Sequence, residues 1–444
     1  MELTRLLKLV FPLTIYYITE VAMGMTDMII VGRLGSTELA AVGLSANIVI
    51  ELILVCFGLL SMVGVLSSHS LGEGKPERVS LIVGQGFWVA ITFSIIVLFL
   101  CFKIPRLFEW TGQDAEVIAF ARDYLAWFIW ITPFALLFVV LRNFLTVLSM
   151  AGVVVFVTLP AVGLNLLLNY LLVFGSHGFP QMGVAGAGAA SVIVNMVMLS
   201  GLLVYVRMHP RCRQFSLLKS MGRLDFGICA NIVRLGLPAG LVALVEGGLF
   251  TVVGLMMGTL GAAWLAANEI LFHILPMAFV IALSIGEAAA VRIAFNVGSG
   301  NLAMTRWIAK TAIAMGCGVM LCASLILWFF PEYVIAVFID IDDPANADVL
   351  EIALALIGIA AVFQLFDGLQ VVTAWCLRGL KDTLVPLWMA SAGYWVCGLG
   401  SGYLFGFVWG YGAEGVWYGL AAGLVVTSIL LAIRLYLMLN RLTR

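Results

Sequence analysis

Residues 11–35 read FPLTIYYITEVAMGMTDMIIVGRLG, an apolar stretch that carries two acids, Glu20 and Asp27, near its middle. The stretch is long enough to cross a bilayer, since a helix needs roughly 20 apolar residues to span the hydrocarbon core. It returns once, shifted by 226 residues, as LPAGLVALVEGGLFTVVGLMMGTLG at 237–261, and Glu246 then falls on Glu20. The repeat predicts a duplicated membrane unit with an acid inside each copy.

The same register continues without a gap through prolines and turn glycines, positions where the backbone restricts the choice of residue. The aligned pairs are Pro12 with Pro238, Gly32 with Gly258, Gly35 with Gly261, Gly72 with Gly298, and Gly74 with Gly300. These coincidences are more specific than the same number of matches between apolar residues would be, because apolar residues are common throughout the chain.

The composition excludes a soluble protein. The chain is 63% hydrophobic and only 11% charged, whereas soluble domains are roughly 25% charged. Residues 143–206 contain no Asp, Glu, Lys or Arg, enough for two spans around a turn at 176–181. The net charge of −1 is uninformative about nucleic acid, and no basic tract exists outside loops. With so apolar a composition, we expect the lipid bilayer as a partner and no nucleic acid. Eight cysteines without CxxC spacing predict apolar packing and no metal or cofactor.

Twelve apolar spans predict an all-α polytopic membrane protein. The predicted spans are 9–32, 39–68, 81–103, 123–141, 150–174, 185–206, 228–257, 262–291, 307–330, 350–377, 384–409 and 413–437. The longest polar connection is a basic linker, 208–227, between an N-lobe at 1–207 and a C-lobe at 228–444. Because each lobe has six spans, both copies enter the membrane in the same direction, and we expect parallel repeats.

Basic residues set the orientation. With the N-terminus inside, 19 of the 23 Lys and Arg residues, Arg444 among them, fall on one face, and only Arg33, Lys103, Arg106 and Arg122 on the other. Retained Lys and Arg mark the cytoplasmic side. We therefore expect a multi-pass protein of the cytoplasmic (inner) membrane with both termini in the cytoplasm.

Acids inside the predicted spans are the most informative feature. They are Glu20, Asp27, Glu51, Glu246, Glu269, Glu287 and Asp367. An ionised carboxylate at the bilayer centre costs ~2.5–3.5 kcal/mol. We place Arg142, Arg292 and Arg378 at cytoplasmic ends, which leaves only His273 as a deeper base. Since burial disfavours the charged carboxylate, such acids hold a proton or bind a cation. Both outcomes are typical of a cation-coupled transporter.

Some of these acids also have structural explanations. Glu51 and Glu269 stand alone in apolar helices, where a protonated acid that hydrogen-bonds between helices explains them equally well. Glu287 precedes Arg292 by five residues, which favours a local polar interface.

Three acids are harder to explain structurally. Glycines follow Glu246 and Asp367, which allows close backbone approach or local unwinding beside the acid. Asp27 shares its half of the chain with Asn165 and Asn169, which lie one helical turn apart on one face. These asparagines either form a polar pocket or hydrogen-bond between helices.

Several motifs follow one another in a fixed order. They are Gly24-Met25-Thr26-Asp27 leading to Gly32-Arg33-Leu34-Gly35, Asn165-Leu-Leu-Leu-Asn169-Tyr170, Gly183-Val-Ala-Gly186-Ala-Gly-Ala-Ala-Ser191, Glu246, and Phe366-Asp367-Gly-Leu-Gln370 running to Leu377-Arg378-Gly379-Leu380-Lys381-Asp382. In this order and at these intervals, the chain resembles the MATE (multidrug and toxic compound extrusion) transporters of the NorM-like branch over nearly its full length. The resemblance implies two six-helix lobes that form a V and switch between outward-open and inward-open states.

The resemblance also implies roles for individual residues. Glu246 and Asp367 match the cation-site acids of the C-lobe, where Na+ is one candidate ion, while Asp27, Asn165 and Asn169 match the polar cluster of the N-lobe. The predicted cation-coupling acids are therefore Glu246, Asp367 and Asp27. The predicted polar pocket for the substrate comprises Asn165, Asn169, Ser191, Glu20, Gln370, Glu269 and Glu287.

The chain also departs from the family pattern. Asn169 stands where some MATE proteins have an aspartate, which weakens a proton switch confined to the N-lobe. Phe363, one turn before Asp367, stands where some relatives have a tyrosine, so a Na+ site would lack that oxygen. The interior is more acidic than the family pattern, at Glu20, Glu269 and Glu287.

We therefore expect a secondary antiporter, not an enzyme, that exports cationic amphiphilic compounds by alternating access in exchange for H+ or Na+, with H+ slightly favoured. It is expected to act as a monomer without a cofactor. Two alternatives stay open. A flippase for lipid-linked substrates needs cationic side chains in its cavity, where this sequence offers acids. A membrane-embedded transferase needs a polar catalytic cluster, whereas the four histidines are scattered at His69, His177, His209 and His273.

Overall fold

The computed structural model describes residues 2–441, except the side chains of Leu218 and Lys219, and all regular secondary structure within them is helical. Met1 and residues 442–444 lie outside the described residues, and with them Arg444 and the predicted placement of the two termini. The expectation of an all-α protein is confirmed.

Within residues 2–441, ten α-helices precede Asp225 and eight follow it. The first ten are α1 (Glu2–Gly32), α2 (Ser36–Gly72), α3 (Pro76–Cys101), α4 (Ile104–Trp110), α5 (Ala115–Phe128), α6 (Ile131–Val147), α7 (Gly152–Phe174), α8 (Val184–Met208), α9 (Pro210–Arg213) and α10 (Leu217–Met221). The others are α11 (Phe226–Leu260), α12 (Ala262–Gly298), α13 (Leu302–Phe329), α14 (Pro331–Ile335), α15 (Ala347–Gly379), α16 (Leu384–Ser391), α17 (Gly400–Tyr403) and α18 (Gly412–Arg441).

The twelve predicted spans correspond to these helices. In the described part of the chain, ten helical stretches are long and apolar enough to cross a membrane unbroken. An eleventh span is the pair α5 and α6, which bends by 42° at its break. Pro133 lies in the first turn of α6, where its missing N–H is tolerated, whereas a continuous helix would bring its ring against an earlier carbonyl.

The remaining predicted span, 384–409, is an irregular helix that is uninterrupted over residues 384–408. Two π-helical segments, Ala392–Leu399 and Leu404–Val408, flank the short α17. This span packs against α18 through glycines: a Cβ atom added at Gly415, Gly419 or Gly423 would collide with the backbone of residues 398–406. The predicted span is therefore helical, and glycine-to-glycine contact, which brings two backbones together, accompanies its wide π-helical turns.

The chain divides into two compact units, and the boundaries between them along the sequence fall inside α1 and α11. One unit runs from Leu7 to Gly240, and the other comprises the residues up to Leu6 together with those from Leu241 onward. In the first unit, the start of α11 packs closely on α2, because Gly236 and Gly240 lack the Cβ atoms that would collide with α2 carbonyl groups. In the second unit, Glu2 and Arg292 form an ion pair of 2.6 Å.

Candidate functional site

The first polar site lies inside the 7–240 unit, where α1, α7 and α8 meet at Asp27. Its Oδ1 atom accepts hydrogen bonds from the Nδ2 atoms of Asn165 (3.0 Å) and Asn169 (2.6 Å). Its Oδ2 atom accepts one from the Ser191 hydroxyl (2.7 Å). The one-turn spacing of the two asparagines places both amides on the carboxylate. Four of the predicted residues thus form a single cluster.

The side chains that surround Asp27 are buried and supply several hydrogen-bond donors. Asn165, Asn169 and Ser191 are at most 5% exposed. Three donors on one carboxylate offset part of the free-energy cost of burying a negative charge. The Oδ1 atoms of Asn165 and Asn169 have no hydrogen-bond partner within the described residues. These two oxygens are acceptors that a substrate donor or a cation could use.

Tyr124 is a further member of this site that the sequence did not single out. It lies on α5, its side chain is buried, and it is within electrostatic range of Asp27. Tyr124 stacks on Phe128 with ring centroids 4.6 Å apart. A tyrosine in an aromatic segment gives no sequence signal of its own. Only the packing of α5 beside α8 identifies it.

The second polar site lies inside the unit that contains residues 241–441. Asp367 on α15 is 6% exposed, and Glu246 on α11 is close enough to interact with it electrostatically. Both acids lie within electrostatic range of the Tyr394 hydroxyl. The Asp367 Oδ1 atom and the Tyr394 hydroxyl are buried and have no hydrogen-bond partner within the described residues.

The irregular helix at 384–408 places Tyr394 near Glu246. Tyr394 belongs to the first π-helical segment, and the indole Nε1 of the next residue, Trp395, donates to the Val245 carbonyl at 3.0 Å. A Cβ atom at Gly248 would lie 3.2 Å from the Trp395 ring, so this glycine allows the indole to approach α11. Sequence reasoning missed Tyr394, because the π-helical turn that orients it leaves no recognisable pattern.

An aromatic wall closes one side of this second site. Phe363 lies one turn before Asp367 and is 4% exposed. Its ring meets Phe250 at 6.3 Å and Trp417 at 6.2 Å between centroids, in edge-to-face geometry. The Trp417 Nε1 atom donates to Asn268 Oδ1 at 3.2 Å. This side of the site therefore offers no side-chain oxygen at position 363, and the phenol nearest the two acids is Tyr394 on another helix.

Gln370 lies one turn beyond Asp367 on α15. It is 2% exposed, and its Oε1 atom has no hydrogen-bond partner within residues 2–441. Gln364, on the preceding turn, likewise has an unpartnered Oε1 atom. α15 thus carries several buried oxygen acceptors on successive turns, and the predicted Gln370 is one of them.

The placement of Arg142 differs from the prediction. Instead of lying at a helix end away from the acids, Arg142 is 2% exposed and within electrostatic range of Glu20. Its guanidinium lies 4.7 Å from the Tyr16 ring centroid and 5.5 Å from that of Tyr17. The expectation that only His273 lies deep enough to accompany these acids was wrong. Side chains of α1 and α6 meet here, since the Tyr16 ring also stacks on Phe138 with centroids 6.0 Å apart, and spacing along the chain cannot reveal this contact.

The other predicted acids are spread along the helices. Glu269 is exposed near the start of α12, and Glu287 is buried 18 residues later, about 27 Å along the helix. One small site cannot include both. Glu51 on α2 is partly exposed, and its Oε1 atom is buried without a hydrogen-bond partner in the described chain.

Two all-helical units of membrane-spanning helices, each with acids inside its bundle, are typical of a polytopic membrane transporter. The model of the MatE family matches residues 12–171 and 238–404. The chain is similar to the probable multidrug resistance protein NorM of Rhizobium meliloti (strain 1021), with 35% identity over 96% of this chain and 91% of that protein. It is also similar to the multidrug resistance protein NorM of Burkholderia vietnamiensis, with 34% identity over 97% and 93%.

Solved structures agree with the fold. The crystal structure of the eukaryotic MATE transporter AtDTX14 matches with a TM-score of 0.87 and 19% identity, over 99% of this chain and 98% of that one. The chain belongs to the MATE family. It is a membrane transporter and not an enzyme, as the sequence predicted.

Proposed function

We propose that this protein exports cationic amphiphilic compounds by antiport, taking up H+ or Na+ in exchange. Family membership supports drug efflux, since the NorM relatives carry the name of multidrug resistance proteins. The observation that carries the antiport proposal is the second site. There, Asp367 is buried and one of its oxygens has no partner in the described residues, while Glu246, which is partly exposed, lies within electrostatic range of it.

Two neighbouring acids repel each other when both are charged, and the burial of Asp367 adds to this cost, so the pair favours a bound cation. A cationic drug can supply that charge, and so can a proton or Na+. Because the two ligands neutralise the same carboxylates, each lowers the affinity for the other. A ligand can drive a conformational change only through different affinities for the two states. Competition for Glu246, Asp367 and Asp27 therefore couples drug release to cation entry.

The surroundings of the acids favour H+ over Na+. Na+ requires several oxygen ligands, and position 363 supplies an aromatic ring packed against Phe250 and Trp417. Protonation needs only a carboxylate. Tyr394 is the one phenol in range of both acids among the described residues, and it is suited to hydrogen-bonding whichever carboxylate is charged.

The same proposal covers location and assembly. We propose a monomer in the cytoplasmic membrane, with the faces rich in Lys and Arg and both termini in the cytoplasm. The N-lobe at 1–207, the linker at 208–227 and the C-lobe at 228–444 remain the proposed functional division.

The decisive experiment measures cation movement in reconstituted vesicles. Drug addition should release protons, and the release should be the same in Na+-free buffer. Equilibrium drug binding should weaken as the pH falls from about 7 to about 5, since protons then neutralise the acids. The triple variant Asp27→Asn, Glu246→Gln, Asp367→Asn should lose this pH dependence. Binding that is insensitive to pH but responds to Na+ would replace H+ by Na+, and transport of an anionic lipid-linked probe would favour the flippase.

A further inference from the structure

A large cavity lies outside both acid sites, in the 7–240 unit. Its volume is about 1040 Å³, and it opens between α3, α6, α8 and the short linker helices α9 and α10. Apolar side chains make up most of its wall. Those from the three long helices include Phe87, Ile91, Leu137, Leu141, Leu199 and Leu203. The cavity runs along α8 from Leu199 to Arg207, about 12 Å of helix.

The linker forms a fixed roof over this cavity. Gln85 on α3 is fully buried; its Nε2 donates to the Arg223 carbonyl at 2.7 Å and its Oε1 accepts from the Asp225 N–H at 3.0 Å. The Trp88 indole donates to the Met221 carbonyl at 2.9 Å. These bonds tie the linker to the bundle. The cavity is therefore built into this part of the fold.

The chemistry of the cavity is opposite to that of the transport sites. Arg207 and Arg213 lie at its mouth, and the described residues that line it include no acid. Cys212 in the roof is 1% exposed, and burial raises the pKa of its thiol. The interior therefore suits apolar chains, whereas the mouth suits an anion.

We propose that this cavity binds an anionic phospholipid. Its acyl chains occupy the apolar space between α3, α6 and α8, and its phosphate lies against Arg207 and Arg213. A phosphodiester matches guanidinium groups in charge and geometry. The mouth lies at the face where most Lys and Arg residues occur, and basic residues at that face attract anionic lipids. A cationic drug would meet two positive charges at the mouth and no acid inside.

The test uses the purified full-length protein in detergent, with phosphatidylglycerol as the probe and phosphatidylcholine as the neutral comparison. Lipid binding is measured by native mass spectrometry. We expect wild type to prefer phosphatidylglycerol by about tenfold or more, since each basic residue near an anionic lipid contributes roughly fivefold. The double variant Arg207→Gln, Arg213→Gln should lose the preference. The variant Arg211→Gln removes an exposed arginine of the same short helix that does not line the cavity, and it should keep the preference.

A second variant tests the apolar part. Leu203 is 42% exposed, so Leu203→Trp fills space in the cavity without disturbing a buried core. It should weaken binding of both lipids and leave the charge unchanged. Thermal unfolding without lipid checks that each variant folds. Equal binding of the two lipids to wild type, an effect of Arg211→Gln as large as that of the double variant, unchanged binding in Leu203→Trp, or displacement of the lipid by a cationic drug would each overturn the proposal.

Discussion

Glu20 and Glu246 occupy equivalent positions of the internal repeat, yet their neighbours differ in charge. Glu20 lies near the buried guanidinium of Arg142, while Glu246 lies near a second acid, Asp367, and a tyrosine, Tyr394. The first acid has a cation built into its own unit. The second has a further acid beside it, and we propose that a proton or cation from outside neutralises this pair. Duplication supplied two acids, and the helices packed around them gave the two acids different electrostatic surroundings.

The same contrast holds for the two aspartates. Asp27 accepts three side-chain hydrogen bonds, whereas Asp367 has a buried oxygen without a partner in residues 2–441. A carboxylate surrounded by neutral donors is satisfied by the protein itself. When a proton or cation binds to one of two neighbouring carboxylates, it relieves the repulsion between them, so the local electrostatic energy changes strongly. The second site is therefore the better candidate for the switch, and the first for recognition of the substrate.

The largest effect is expected from neutralising the second site. Glu246→Gln and Asp367→Asn should each reduce drug efflux by about 100-fold or more, since a coupling of about 3 kcal/mol corresponds to that factor. Efflux from cells is measured together with the amount of protein in the membrane. Glu351→Gln, which removes an exposed acid of α15 outside the predicted sites, is the matched control and should behave as wild type. Full activity in both test variants would refute the assignment.

A smaller effect is expected at the first site. Asp27→Asn keeps the shape but removes the charge-assisted hydrogen bonds, worth about 1.5–3 kcal/mol, and should lower drug affinity by roughly tenfold or more. Ser191→Ala removes one of three donors and should cost only a few-fold. Drug affinity is measured by equilibrium binding in detergent. If Ser191→Ala costs as much as Asp27→Asn, the donors do not share the carboxylate as the geometry indicates.

Substitutions at Tyr394 and Phe363 change the number of hydroxyl oxygens around Glu246 and Asp367, one at a time. Tyr394→Phe removes only the hydroxyl and should reduce cation-driven transport about fivefold, the value of one net hydrogen bond. Phe363→Tyr adds an oxygen one turn from Asp367 and should make transport respond to Na+. Transport is assayed in vesicles at fixed pH with and without Na+. Insensitivity to Na+ in Phe363→Tyr would mean that the missing tyrosine does not determine the ion.

The smallest effect on transport is expected from Glu20→Gln. Because Glu20 lies close to Arg142, its substitution should mainly lower the stability of the protein and should have little effect on drug efflux. We expect efflux within about twofold of wild type and a loss of stability of about 1–3 kcal/mol. Efflux as low as in Glu246→Gln would show that the two halves use their equivalent glutamates alike.

The sequence predicted the features that depend on local spacing. Apolar runs gave the spans, the repeat located Glu246, and the one-turn spacing of Asn165 and Asn169 predicted their shared face. Features that depend on packing were missed. Tyr394 is oriented by a π-helical turn, and Arg142 comes near Glu20 only through side-chain contacts between α1 and α6. Spacing assigned the two asparagines to a common face, whereas Ser191 was assigned to the pocket through the family resemblance, because its contact with Asp27 requires α8 to pack against α7.

The glycine contact between the irregular helix at 384–408 and α18 affects how the two helices can move relative to each other. Most packed helices interlock, since side chains of one fill holes in the other, and any shift must unseat them. At Gly415, Gly419 and Gly423 the two backbones touch over a smooth strip. Close contact of this kind keeps the two helices together, but no interlocked side chains oppose a small shift of one helix along the other. We therefore expect the span that carries Tyr394 to move along α18 more readily than other helices of its unit. Amide hydrogen exchange should be faster in 392–408 than in α15.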